Sequence, residues 1–177
     1  MSASASTSID PREMRQALGQ FPTGVCIVTC RGAGEDCGMT MSSFNSLSLD
    51  PPLVLFSVDK RALSLPHWEQ AKGFAINILS DNQQAISNRF ARAGSNKWEG
   101  THFHRGFAEA PVLAGVAAVF ECRPWATHDG GDHILFIVEV IEMRSTPDRR
   151  PLVFSKGRYA KLEQTQDVAP WPLAIHY

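Results

Sequence analysis

The sequence predicts a mainly β domain: a sheet rolled into a barrel, with a few peripheral helices. Three observations carry this reading. Short β-branched or apolar runs recur at residues 25–30, 53–58 and 74–79, each too short for a helix of ordinary length. Two longer β-rich runs, 116–127 and 134–143, flank Asp129-Gly130-Gly131-Asp132, a glycine-centred turn that makes them the arms of one long hairpin. Helical periodicity is confined to brief stretches, so helices decorate the sheet rather than build the core.

Taken in order, Asp10-Pro11-Arg12-Glu13 combines an N-cap, a proline suited to the first helical turn and an early acid. Met14, Ala17, Leu18 and Phe21 then recur at helical spacing and predict one apolar face; Phe21-Pro22-Thr23-Gly24 ends the helix. The 25–30 run predicts a buried strand, and residues 31–36 a hairpin loop leading to a second strand at 37–41. Gly32, Gly34 and Gly38 superficially resemble a dinucleotide-binding turn, but no helix follows them, so the hairpin is the better reading. After the strand at 53–58 comes a short helical turn over 66–72 that Gly73 would end, and then the strand at 74–79. Ser80 with Gln83 predicts a capping box for a helix bearing Ala85, Ile86, Arg89 and Phe90. In the first arm of the long hairpin, Ala118, Phe120 and Cys122 alternate with Glu121 and Arg123, while the second arm is apolar on both faces through Val138.

With 177 residues, 44% hydrophobic and 20% charged, the chain suits one compact core. The expected organisation is a disordered stretch at 1–9, one domain at 10–163 and a tail at 164–177, where Pro170-Trp171-Pro172 forms an arm or frays. A net charge of -1 gives no field to gather nucleic acid or anionic lipid. The four cysteines contain no C-x-x-C pair and read as reduced thiols. With no signal-like leader and no apolar run near the roughly 20 residues of a spanning helix, the expectation is a cytoplasmic protein without membrane or nucleic-acid partners.

Hydrolase elbows, zinc-protease helices and phosphate loops are all missing from the sequence. His102 and His104 with Glu109 could ligate a metal, but no later histidine has the spacing to complete the set, so solvent-facing loop histidines are the better reading. The segment 40–52 is more informative. It places hydroxyls, backbone amides and the single aromatic Phe44 between strands, a setting for a planar heteroaromatic ligand that needs N–H donors at its edge and apolar contact on its faces.

Seven short motifs occur in a telling order: Phe21-Pro22-Thr23-Gly24-Val25, the 40–52 segment, Phe74-Ala75-Ile76-Asn77, Phe90-Ala91, Asn96-Lys97-Trp98, Gly131-Asp132-His133 and Gly157-Arg158-Tyr159. In this the chain resembles the flavin reductase-like family, the short-chain reductase components of two-component flavin monooxygenases, over about residues 12–162. The resemblance implies a split β-barrel homodimer with FMN or FAD near the subunit boundary, NADH or NADPH as electron donor, and a flavin-dependent monooxygenase served by diffusible reduced flavin. It implies that Thr40, Met41, Ser42, Ser43, Phe44 and Asn45 line the isoalloxazine and ribityl chain. Ser57 and Ser64 would reach the ribityl or phosphate, Phe90 and Ala91 would pack near the cofactor, and Lys97 would face the phosphate, with Trp98 and Tyr159 also at the cofactor. His133 takes the position associated with the nicotinamide. Asn96 departs from the acid common before this lysine in the family, which puts the hold on that loop in question. The competing class is an FMN-binding electron carrier or sensor with no productive nicotinamide site; a metal-binding barrel is third.

Overall fold

The computed structural model describes residues 9–94 and 96–163. Residues 1–8 of the stretch expected to be disordered, and the whole 164–177 tail with Pro170-Trp171-Pro172, lie outside the described residues. The first helix, α1 (Pro11–Leu18), starts where the cap signals put it: the Asp10 carboxylate accepts the Arg12 N–H at 2.8 Å. Its apolar face does not bury against the chain, however. Met14, Leu18 and Phe21 stay exposed, Phe21 at 76%. The face is amphipathic but has no partner among the described residues of its own chain.

A two-residue strand β1 (Thr23–Gly24) leads to β2 (Cys26–Gly32), which turns through Ala33 and Gly34, both at positive φ, into β3 (Glu35–Met41). The hairpin reading of the glycines thus holds, and Gly32 has a second reason to be glycine: a Cβ there would run into the His67 carbonyl. Within the 40–52 segment the structure adds a strand not expected from sequence, β4 (Asn45–Leu49), paired with β5 (Pro52–Asp59). Then come α2 (Leu65–Gln70), β6 (Phe74–Ile78) and α3 (Gln84–Ala91). Gly73 does not end α2, which closes at Ala71; a Cβ on Gly73 would instead meet the Phe107 ring at 2.6 Å. The capping box is half formed. Ser80 N–H donates to Gln83 Oε1 at 3.0 Å, but the Ser80 hydroxyl lies 2.8 Å from both the Asn82 side chain and the Gly115 carbonyl, and the helix begins only at Gln84.

A small hairpin, β7 (Phe103–Arg105) with β8 (Pro111–Leu113), precedes the long one, β9 (Ala118–Gly130) and β10 (His133–Ser145). The long arms carry two bulges, at Trp125 beside Pro124, whose missing N–H suits a broken ladder, and at Ile141. Glu121 does not join Arg123 in solvent: it is buried, with one oxygen 2.7 Å from Arg144 and the other accepting the Phe107 N–H at 2.6 Å. The last strands, β11 (Val153–Ser155) and β12 (Arg158–Ala160), form a small sheet with β1.

The main sheet has seven strands in the order β3-β2-β6-β9-β10-β5-β4. Laid flat, its outer strands would be ~29 Å apart at ~4.8 Å per strand. Yet β3 and β4, on opposite edges, are joined only by Ser42, Ser43 and Phe44, which reach at most ~14 Å. The sheet must therefore roll until its edges nearly meet without pairing, which is a split barrel. Cys26, Val28, Phe56, Phe74, Phe136 and Val138 fill the interior, with Trp68 of α2 packed among them. A second cluster on the outer face joins Ile27, Ala75 and Val119 to Phe90 of α3 and Val112 of β8. Covering on both faces explains why the 25–30 run is almost continuously apolar. Between the layers, Asn77 Nδ2 donates to the Ile27 carbonyl at 3.0 Å and its Oδ1 accepts the Leu113 N–H at 2.8 Å, tying the small hairpin to the sheet.

Candidate active site

Beside β3 opens a cleft of about 570 Å³, within the ordinary range for small-molecule sites. Its walls are β3 from Glu35 to Met39, the 61–64 turn with His67 of α2, the end of α3 with residues 91–94, and Lys97 and Trp98. A bare strand lets the helix close on it: a Cβ on Gly38 would lie 2.6 Å from the Phe90 ring, so only glycine admits this packing. Phe90 meets Trp98 edge-on at 5.1 Å, and the Trp98 indole N–H donates to the Asp36 carbonyl at 3.1 Å. These contacts give the cleft an apolar wall.

Lys97 supplies its central charge. The half-buried ammonium donates to the Gly38 carbonyl at 3.0 Å and to the Phe90 carbonyl at 3.1 Å. Among the described residues its hydrogen-bond partners are these carbonyls rather than a carboxylate, and burial lowers its pKa. A partly desolvated cation with one N–H to spare suits an anionic ligand. Asn96, which takes the place of the expected acid, donates to Glu99 at 3.1 Å. On the rim, the Asp59 carboxylate grips Arg61 at 2.7 and 3.1 Å, which holds Asp59 well below the usual carboxylate range. Asp36 is bound to Arg31 and Arg105 and so carries little free negative charge. Ser64 accepts the Trp68 indole N–H at 3.1 Å, and His67 Nδ1 lies 3.0 Å from the Gly32 carbonyl, an acceptor only, so this nitrogen bears the proton.

Of the residues expected at the cofactor, the cleft collects Ser64, Phe90, Ala91, Lys97 and Trp98. Thr40 and Met41 continue the same β3 strand; the Thr40 hydroxyl donates to the Ser87 carbonyl of α3 at 2.6 Å, while Met41 is buried. Ser42, Ser43 and Asn45 lie exposed at the split, with Ser43 Oγ accepting the Ser57 N–H at 3.2 Å. Phe44 packs against Phe120 at 5.8 Å. Tyr159 stands apart from the cleft wall: its hydroxyl sits 2.9 Å from both Ser87 Oγ and Asn88 Oδ1 and braces α3. His133 opens β10 opposite Asp59, with Nδ1 2.7 Å from Asp132, and is not among the residues that line the cleft. The sequence reading missed Cys37, Met39, Arg61, His67 and Arg92 as cleft residues. The Asp59-Lys60-Arg61 run between Ser57 and Ser64 was the available signal for Arg61. Among the described residues, no group of three or more His, Cys, Asp or Glu side chains could hold a metal; His104 faces Arg144 instead.

Comparison with known proteins bears on this cleft. The reductase subunit HsaB of a flavin-dependent monooxygenase from Rhodococcus jostii (strain RHA1) is 38% identical over 170 residues, covering 96% of this chain and 87% of that protein. The FMN reductase (NADH) SmoA of Agrobacterium fabrum (strain C58) is 40% identical over 153 residues, covering 86% of this chain and 87% of its own. Among solved structures, the NADH:FAD oxidoreductase SgcE6 of Streptomyces globisporus C-1027, in complex with NAD and FAD fragments, has a TM-score of 0.84 at 35% identity, over 92% of this chain and 100% of that one. The family described as "Flavin reductase like domain" matches residues 18–163, a span that takes in the whole rolled sheet and every wall of the cleft, and the chain belongs to that family.

Proposed function

We propose that the chain is an NAD(P)H-dependent flavin reductase that passes reduced FMN or FAD, by diffusion, to a partner flavin-dependent monooxygenase. The observation that carries this is Lys97: a half-buried cation beside an aromatic wall, in a cleft large enough for a flavin head, with its charge left for a ligand. The residues fit the group. Phe90 and Trp98 offer the apolar side, Lys97 and Ser64 the phosphate or ribityl contacts, and the exposed Ser42–Asn45 backbone the N–H donors that a heteroaromatic edge needs. A bound flavin supplies the two-electron acceptor; the rest falls to the chain.

That remainder is positioning. Hydride transfer needs the two reacting atoms within roughly 3–3.5 Å, so the walls must hold one ring and leave its other face open to a second. Phe90, fixed by Gly38 and Trp98, is rigid enough for the first task. Backbone N–H groups near Ser43 to Asn45 would hold charge that develops on the reduced ring. His133, paired to Asp132 at the hairpin tip, would orient the nicotinamide nucleotide, with Arg61 nearby as a phosphate contact. Thr40 and Tyr159 serve this arrangement by anchoring α3.

The working form is a homodimer. Its support is the exposed apolar surface of Met14, Leu18, Phe21, Leu49 and Met143, which a single described chain leaves uncovered. No helix among the described residues is long and apolar enough to cross a membrane. Four free thiols suit the reducing cytoplasm as the site of action.

The test is oxidation of NADH and NADPH, followed by near-ultraviolet absorbance, with FMN, FAD or no flavin added. Turnover that requires added flavin is expected. A tightly flavin-loaded protein inert to both nucleotides would overturn the reductase reading in favour of an electron carrier.

A further inference from the structure

Of the four cysteines in the barrel interior, none with a part in the function above, two face each other across a strand pair. Cys30 on β2 and Cys37 on β3 are directly opposed in the antiparallel register, and both side chains belong to the interior cluster. Opposed residues in such a ladder have Cα atoms about 4.5–5.5 Å apart, inside the roughly 4.4–6.8 Å span that a disulfide bridges. Cys37 also lines the cleft, between Ser64, His67 and Lys97, whereas Cys30 lies wholly behind it.

We propose that Cys37 and Cys30 form a peroxide-responsive dithiol in the cleft wall, with Cys37 the attacking and Cys30 the resolving cysteine. The oxidant is hydrogen peroxide, formed when reduced flavin in solution loses its electrons to dioxygen instead of reaching an oxygenase; to that extent the proposal rests on the reductase reading. The Cys37 thiolate attacks one peroxide oxygen, the O–O bond breaks, and the departing hydroxide takes up a proton to leave as water. Cys37 is then a sulfenic acid. The Cys30 sulfur attacks the Cys37 sulfur, and the released hydroxide combines with the Cys30 proton as a second water. Two thiols have lost two hydrogens and two electrons, and one peroxide has become two waters. A dithiol reductant reverses the link.

The surroundings separate this pair from the other cysteines. The Cys30 thiol as hydrogen-bond donor, and then the Ser64 hydroxyl with His67 and Lys97 nearby, hold Cys37 below its ordinary value against the opposing effect of burial. Cys30 is held up, chiefly by that same hydrogen bond and by burial; once Cys37 is a sulfenic acid the thiolate that held this proton is gone, and the proton leaves as the Cys30 sulfur attacks. Burial pushes Cys26 and Cys122 each up to about 12, which leaves them inert thiols and internal controls.

Full-length protein, reduced and freed of reductant, is treated with hydrogen peroxide without flavin and mapped by non-reducing peptide mass spectrometry. The expected product is a Cys30–Cys37 linked peptide two hydrogens lighter than its parts, restored by dithiothreitol, with Cys26 and Cys122 unmodified. Cys30→Ser should leave Cys37 as a sulfenic acid captured by dimedone, and Cys37→Ser should leave Cys30 untouched. A wild-type protein that stays unlinked, or oxidises evenly at all four cysteines, overturns the proposal. A second arm replaces peroxide with NADH, FMN and air. Linkage by added peroxide without NADH consumption would uphold the dithiol and remove the reductase reading; NADH consumption without linkage in either arm would do the reverse.

Discussion

Replacing Lys97 by methionine separates its two tasks, because the apolar stem stays and the charge goes. If the ammonium meets the flavin phosphate, the substitution removes a charge-assisted hydrogen bond worth about 1.5–3 kcal/mol, so the FMN dissociation constant should rise roughly 10- to 150-fold. Riboflavin has no phosphate and should lose at most about two-fold through altered packing. The Gly38 and Phe90 carbonyls that now accept from Lys97 at 3.0 and 3.1 Å would lose a donor, at a cost of about 1–3 kcal/mol of stability if they stay dry. That cost falls equally on both ligands, so the ratio of the two affinities isolates the phosphate contact. The assay is quenching of flavin fluorescence on titration with wild type and variant, repeated across pH. Since burial lowers the Lys97 pKa from the ordinary 10.5, the charged form is complete below the folded value and lost as pH rises through it. The wild-type FMN preference over riboflavin should therefore fade at a lower pH than a free lysine would give, and the variant should show no such fading. Equal weakening of FMN and riboflavin would refute the phosphate contact and leave Lys97 as a structural tie between β3 and α3.

Three further outcomes are expected. His133→Ala, which removes a partly exposed group hydrogen-bonded to Asp132, should raise the KM for the nicotinamide nucleotide roughly 2- to 10-fold and leave flavin affinity unchanged; a parallel fall in flavin affinity would remove the assignment. Gly38→Ala sets a Cβ 2.6 Å from the Phe90 ring and should cost about 1–3 kcal/mol in urea unfolding, so an unchanged midpoint would deny the tight strand-to-helix contact. Phe21→Glu on the uncovered α1 face should weaken self-association at least ~10-fold in sedimentation equilibrium, since burying such a side chain contributes about 1.5–3 kcal/mol; a wild type that is monomeric at every concentration would dismiss the homodimer.

What was legible in the sequence is what is settled by neighbours in the chain. Asp10-Pro11 announced α1, and Gly130-Gly131 announced the long hairpin, because caps and tight turns depend on a few consecutive residues. Ser80 with Gln83 shows where such logic stops: the distant Gly115 carbonyl, with Asn82 beside it, claimed the hydroxyl that a cap required. The curl of the sheet was not readable from periodicity, since it follows from the pairing of strands far apart in sequence. For the same reason Glu121 read as a surface acid, although Arg144 and the Phe107 N–H give it a buried home. Lys97 was reached through resemblance, as nothing in Asn96-Lys97-Trp98 alone distinguishes a cleft cation from a loop lysine. Cys37 was invisible as anything but a reduced thiol, because its character comes from Cys30 across the ladder and from helices folded over it.

The three residues from Ser42 to Phe44 act as a ruler for the barrel. They set how far the two free margins of the sheet can stand apart, so lengthening this bridge with flexible glycines should relax the circumference while every strand pairing survives. The margins themselves are sheet edges, the usual template for unwanted strand addition between molecules, and on β3 the Asp36 and Gly38 carbonyls are taken up by Trp98 and Lys97. A chain cut open at this bridge, with its old ends joined elsewhere, would keep its ladders but lose the restraint that shields those margins. Its failure would then show as aggregation on storage well before any loss of secondary structure, making solubility the more sensitive gauge of the bridge.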